Sequence, residues 1–184
     1  MKKSLMEESE IISRCLSGDV EAFEMLVTKY QTSLLGLTWN ILRDKEEAKD
    51  ITQEAFIQCF LHLNRFDRTR SFKNWLYSIA YKRCLDRKKK EKSSAKFVNK
   101  IRKEEQLFTD DKNEKRRIED SEVFSPILNK LDDKERTVLS LKMNEGYSAK
   151  EIARVLGCAE STARVLFFKA KRKLKRILTR DKNV

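Results

Sequence analysis

Residues 148–163 read Ser148-Ala149-Lys150-Glu151-Ile152-Ala153-Arg154-Val155-Leu156-Gly157-Cys158-Ala159-Glu160-Ser161-Thr162-Ala163. Ser148 with Glu151 three residues on is a capping box, in which each residue's side chain takes the other's backbone N–H. It opens a short helix, Ala149 to Leu156, and Gly157 supplies a turn that tolerates positive φ. A second helix follows from around Glu160 to Leu178. The spacing is that of a helix-turn-helix. Ala153 is small where the two helices cross, Gly157 comes four residues later, and Ala163 packs back under the first helix. Ile152, Leu156, Phe167, Ala170 and Leu174 complete an apolar interior at helical spacing. The outward face of the second helix then shows Ser161, Thr162, Arg164, Val165, Phe168, Lys169 and Arg172. Short polar groups early and cations later suit the major groove, where the first reach base edges and the second reach phosphates. The plainer alternative is a helical hairpin with a solvated basic face. Ala159 stands where a capping Ser, Thr or Asp is expected, so the second helix starts without a good side-chain cap.

Upstream, Leu131-Asp132-Asp133-Lys134-Glu135 is another helix start, with Asp132 as N-cap. Val138, Leu139 and Met143 form its apolar face, and Glu145-Gly146 ends it. This second module begins near Ser125-Pro126. From Glu91 to about Ser121 the periodic signal fails, and the stretch reads as a linker of roughly 30 residues, too long for a connection inside one compact domain. Earlier again, Phe72, Trp75, Leu76, Ile79 and Ala80 recur at i, i+3, i+4, i+7 and i+8, one buried helical face. Ser71 can cap that helix, and Asn64–Ser71 reads as a loop. Asp44-Lys45-Glu46-Glu47 opens a helix to about His62, whose apolar stripe is Ala48, Ile51, Ala55 and Cys59. Asp50, Gln53 and Glu54 share another face of it. Residues 9–30 form a helical pair broken at Ser17-Gly18-Asp19, with Phe23, Leu26, Val27 and Tyr30 on one face.

The whole chain agrees with these parts. It has 184 residues with 4 Gly and 1 Pro, which argues against a sandwich or barrel needing frequent turn residues. The expected fold is all-α: two small helical domains joined by a flexible linker, the second a helix-turn-helix, winged-helix-like four-helix DNA-binding domain. The expected division is 10–92, a linker at 93–121, and 122–180. The net charge is +12, unevenly spread: −4 over residues 1–64, +12 over 65–103, −5 over 104–133 and +9 over 134–184. Two separated cationic blocks suggest a polyanion held at two places.

Several chemistries are disfavoured. His62 is the sole histidine, and Cys15, Cys59, Cys84 and Cys158 contain no C-x-x-C pair, so neither a zinc site nor a Cys–His nucleophile is expected. No phosphate-binding glycine loop is present. No metal, cofactor, catalytic residue or small-molecule substrate is therefore expected. No apolar run approaches the roughly 18 residues of a membrane span, and the start turns acidic at Glu7-Glu8, so a cytoplasmic location is expected.

Three segments together resemble a known family. They are Tyr147 to Leu174, Asp50-Ile51-Thr52-Gln53-Glu54-Ala55-Phe56, and Phe72-Lys73-Asn74-Trp75-Leu76-Tyr77-Ser78-Ile79-Ala80. The chain resembles the bacterial RNA polymerase sigma factors of the sigma-70 family, most closely the two-domain extracytoplasmic-function group. The resemblance spans about residues 10–92 and 122–180. It implies that Asp50, Gln53, Glu54 and Phe56 dock on the clamp helices of the polymerase largest subunit. It implies that Arg65, Phe66, Arg68, Arg70, Lys73, Tyr77, Tyr81, Arg83 and Arg87 open and bind the −10 element. On the residues themselves, Trp75 reads as core, while Tyr77 and Tyr81 lie off the apolar stripe and read as stacking faces.

The −35 reader would be Ser161, Thr162, Arg164, Phe168, Lys169 and Arg172. Further implied partners are promoter DNA, the flap of the second-largest subunit and an anti-sigma factor, which in some relatives holds the complex at the inner membrane face. The implied role is transcription initiation in a stress response, without catalysis. The family often has an Arg-Asn pair where Tyr81 and Lys82 stand, and a basic residue at Leu166. Two rivals explain parts of the chain. A stand-alone helix-turn-helix regulator accounts for residues 130–180 but leaves the first module idle. A non-specific nucleic-acid-binding protein accounts for the charge and predicts steep salt dependence.

Overall fold

The computed structural model describes residues 7–105 and 130–180. Its helices are α1 (Glu8–Leu16), α2 (Glu21–Leu42), α3 (Lys45–Leu61), α4 (Phe72–Glu105), α5 (Asp133–Met143), α6 (Ala149–Leu156) and α7 (Glu160–Arg180), with one 3-10 turn at Leu63–Arg65. Among the described residues there is no strand, so the all-helical expectation holds. The fourth helix expected near the start of the second unit lies outside the described residues.

Local chemistry sets the helix starts. Asp19 Oδ1 accepts from the Ala22 N–H at 3.1 Å before α2, and Asp44 from Glu47 at 2.9 Å before α3. The Ser71 hydroxyl takes the Asn74 N–H at 3.2 Å. Asp132 with Glu135, and Ser148 with Glu151, make complete capping boxes. Each such cap contributes about 1 kcal/mol by satisfying an otherwise orphaned N–H. Gly157 ends α6 in the left-handed region at φ 65°. A side chain there meets no neighbouring atom, so the backbone angle alone selects glycine.

The first unit packs α2, α3 and α4 around Leu26, Leu34, Leu37, Ile41, Ile51, Ala55, Cys59, Phe72, Leu76 and Ala80. Most of these lie on the stripes the periodicity predicts, and Leu34, Leu37 and Ile41 extend the α2 stripe past Tyr30. Helix α4 continues past them to Glu105. Glu91, Lys92, Ser93 and Ser94 on that extension are exposed. The backbone there is helical where the polar, mixed-charge sequence reads as a linker. The remainder of the segment read as a linker, 106–121, lies outside the described residues.

Composition alone predicts that each half buries its own core. The structure adds a contact between them. α6 lies on α4 and α5 on α2. Val138, Leu141, Tyr147, Ile152, Ala153 and Val155 join the same apolar cluster as the first unit. Polar pairs ring it: Asn40 Nδ2 donates to Ser140 Oγ at 3.1 Å, Lys73 meets Glu145 at 2.8 Å, and Lys88 meets Asp133 at 2.6 Å. Met143, expected on the apolar face of α5, is instead 72% exposed at the helix end. That face is filled by Val138, Leu139 and Leu141.

Candidate nucleic-acid interface

Three surfaces matter: one face of α3, the groove between the end of α3 and α4, and the outward face of α7.

On α3, Asp50 and Gln53 are exposed and Glu54 is half-buried. Arg87 of α4 reaches across, 3.1 Å from Glu47 and 3.6 Å from Glu54. Its hydrogen bond to Glu47 raises the guanidinium's pKa further, so this cation is already spoken for. Glu91, although exposed as a residue, has its carboxyl in the same group, and partial loss of water around it followed by the neighbouring Glu47 pushes that carboxyl up. Phe56 departs from the expected docking face. It is buried at 6% exposure, with its ring edge-on to Phe23 at 6.5 Å. The reason is position: Phe56 adjoins Ala55 and sits on the flank of the stripe that closes over α2. In its place Ile57 and Leu61, 56% and 60% exposed, continue the line of Asp50, Gln53 and Glu54. Their spacing at i+7 and i+11 from Asp50 carried that signal in the sequence.

The loop and α4 divide the expected −10 set. Arg65 and Arg83 line an open groove of about 410 Å³ together with Gln58, His62, Trp75, Ile79, Lys82 and Asp86. Arg68 and Arg70 are exposed outside that lining, with Arg68 bonded to Ser13 Oγ of α1 at 2.5 Å and Arg70 paired with Asp67 at 2.9 Å. Thr69 donates twice to Asp67, which lowers that carboxyl's pKa and braces the loop. The other members are engaged elsewhere. Phe66 is buried, stacked on Trp75 at 5.0 Å and edge-on to Phe72 at 5.7 Å. Lys73 pairs with Glu145 and lies over the Tyr77 and Tyr147 rings, 5.6 and 5.1 Å from their centroids.

Tyr77 and Tyr81 are the clearest departures. The sequence reads them as open stacking faces, yet they are 0% and 4% exposed. The second unit packs on α4 over both of them, and Tyr77 also reaches α2. Tyr77 donates to Ser33 Oγ at 2.8 Å. Burial pushes both phenols up, Tyr81 to about 12. Trp75 reads as core and is half-buried against it, with one edge in the groove. Gln58, His62, Lys82 and Asp86 are groove residues that sequence reasoning did not single out. Lys82 follows Ile79 at i+3, and with Tyr81 it stands where the family often has an Arg-Asn pair.

On α7 all six expected reading residues are exposed: Ser161, Thr162, Arg164, Phe168, Lys169 and Arg172. Arg164 pairs with Glu160 at 2.6 Å one turn back. Ala163 and Ala170 are buried, and Phe167, Leu166 and Leu174 are half-buried beneath them. Lys173 anchors the helix to Glu135 of α5 at 2.9 Å. Burial would raise the Glu135 pKa, but the Asp132 N–H and Lys173 outweigh it and lower it. Among the described residues, no helix is long and apolar enough to cross a membrane.

Comparison with known proteins follows the same division. Residues 26–94 match the family described as Sigma-70 region 2, and residues 125–174 match Sigma-70, region 4. The chain is 30% identical over 176 residues to the ECF RNA polymerase sigma factor SigW of Bacillus subtilis, covering 91% of this chain and 94% of that one. It is 28% identical over 181 residues to the RNA polymerase sigma-H factor of Pseudomonas aeruginosa, covering 94% of each. Among solved structures, CnrH in complex with the cytosolic domain of CnrY superposes with a TM-score of 0.69 at 22% identity, covering 94% of this chain and 97% of that one. The sigma factor RpoE bound to the anti-sigma factor NepR, from Bartonella quintana, gives 0.63 at 18% identity, covering 87% and 98%. At those identities the two structures establish the shared fold.

Proposed function

We infer the working parts of this chain from the premise that it belongs to the extracytoplasmic-function group of sigma-70 RNA polymerase sigma factors. As such it directs core polymerase to promoters. The proposed division of labour is residues 10–92 for core polymerase and the −10 element, and 122–180 for the −35 element, with 93–121 as the connection. The chain itself catalyses nothing and acts in the cytoplasm. RpoE of Bartonella quintana, which shares this fold, has been captured with the anti-sigma factor NepR, and an antagonist of that kind is proposed here too.

Asp50, Gln53 and Glu54 form the polar half of the docking face for the polymerase largest subunit, and Ile57 and Leu61 form its apolar half. The −10 strand enters over Arg65, Arg68 and Arg70 and delivers a base to the groove beside Trp75, Lys82 and Arg83. Opening a base step costs about 1.4 kcal/mol of stacking. Capture on an aromatic and cationic surface returns about 1–3 kcal/mol per base. Binding alone therefore suffices to drive melting. Lys73, Tyr77 and Tyr81 join the strand track once α6 lifts from α4, and Arg87 once it leaves Glu47 and Glu54 of α3. Phe66 supports the groove from beneath by stacking on Trp75.

One observation carries the reading: α7 buries Ala163 and Ala170 while turning its polar and cationic residues outward as a single face. Co-purification with core polymerase followed by run-off transcription on genomic fragments tests it. The expected result is a stable complex that starts transcripts at defined sites. A pure chain that binds and unwinds a defined duplex without polymerase would overturn it in favour of a stand-alone regulator.

A further inference from the structure

Helix α7 carries two large apolar side chains in the middle of its outward face. Val165 is 52% exposed and Phe168 65% exposed. With Ser161 and Arg172 they fall at i, i+4, i+7 and i+11, a single stripe. The opposite stripe of Ala163, Ala170 and Ile177 is buried. The apolar pair therefore points straight away from the unit, where the floor of a groove would lie. Arg164 flanks it on one side, and Thr162 and Lys169 on the other. Neither Val nor Phe can hydrogen-bond a base edge. The one apolar group on the floor of the DNA major groove is the 5-methyl of thymine.

We propose that Val165 and Phe168 are specificity-determining residues that read thymine methyl groups in the upstream promoter element. The inference rests on α7 being the −35 reader and adds which base it selects and by what contact. Cations on both flanks favour a duplex as the occupant of this stripe, because phosphates line both walls of the groove that would receive it. Burying a methyl group is worth a few-fold in affinity, so each thymine in contact should bind about three- to fivefold better than its demethylated counterpart.

The test uses holoenzyme. Duplexes randomised over the upstream element are enriched by binding. Each thymine of the enriched sequence is then replaced singly by deoxyuridine, which removes only the methyl. Wild-type holoenzyme should lose about three- to fivefold at one or two positions. In Phe168→Ala or Val165→Ala that discrimination should fall to near one at the position each residue covers. Lys169→Ala should weaken thymine and deoxyuridine duplexes alike and keep their ratio. Equal binding of both duplexes at every position by the wild type overturns the proposal, as does a ratio that survives both apolar substitutions. If no upstream element is enriched at all, the reading of α7 itself fails and the proposal falls with it.

Discussion

The ring of Tyr77 lies 5.8 Å from that of Tyr147, tilted by 30°, so the helix expected to face an opened strand meets the turn ahead of the helix-turn-helix instead. Lys73 closes the contact, 2.8 Å from Glu145 and over both rings. The surface expected to take the −10 strand and the surface that the second unit covers thus overlap on α4.

Glu145→Lys tests the closure. The substitution places a second ammonium beside Lys73 in a half-buried position, turning attraction into repulsion. The radius of gyration by small-angle X-ray scattering should rise relative to wild type, while helix content stays the same. An unchanged radius would show that the apolar contact of α6 on α4 holds the units together without the ion pair.

Tyr81 gives a pH dependence. Its phenol is raised by burial from the ordinary 10.0 to about 12, with Cys158 and Asp133 adding to the shift. Below pH 10 the group is protonated whether the chain is folded or not. Between pH 10 and 12 only the unfolded chain releases the proton, so the folded state loses stability as pH rises through that window. The share carried by this group is on the order of 2 kcal/mol. Thermal unfolding midpoints between pH 9 and 12 should fall less steeply in Tyr81→Phe than in wild type. Parallel curves would mean that Tyr81 titrates normally in the folded protein.

What the sequence showed and what it hid divide along physical lines. Asp44, Asp132, Ser148 and Gly157 act within four residues of themselves, and each does what its local pattern predicts. The stripe of α4 was legible for the same reason, because Phe72, Leu76 and Ala80 repeat at helical spacing. Tyr77 and Tyr81 were read as lying off that stripe and open. Their burial was not legible, since it comes from the second unit, about 70 residues further along the chain, and for Tyr77 also from Ser33 of α2. Phe56 failed differently. A helix packed on one side has a wide buried arc, and motif membership says nothing about which edge of the arc a residue occupies. The groove was hidden because its lining comes from both α3 and α4, and its residues share no spacing.

The α3 face separates docking from folding. Asp50→Lys with Glu54→Lys should abolish association with core polymerase in a pull-down, and Ile57→Asp should weaken it, all with unfolding midpoints near wild type. Phe56→Ala should instead cost about 3–5 kcal/mol of stability, as removal of a buried ring does. Retained association in both Ile57→Asp and the double charge reversal would remove α3 from the docking surface.

The groove offers the sharpest division within the −10 set. Lys82 and Arg83 stand on one side of α4 and line open space. Tyr77 and Tyr81 stand on the side that the second unit covers. If a base is captured in the groove, Lys82→Glu and Arg83→Glu remove cations from the strand's path and add repulsion of its phosphates. Permanganate reactivity of promoter thymines should then drop several-fold while polymerase association persists. Tyr77→Phe and Tyr81→Phe keep the aromatic faces and should leave reactivity close to wild type, whether the units are closed or parted. Reactivity kept in both cation variants, with polymerase association intact, would remove the groove as the place where a base is captured.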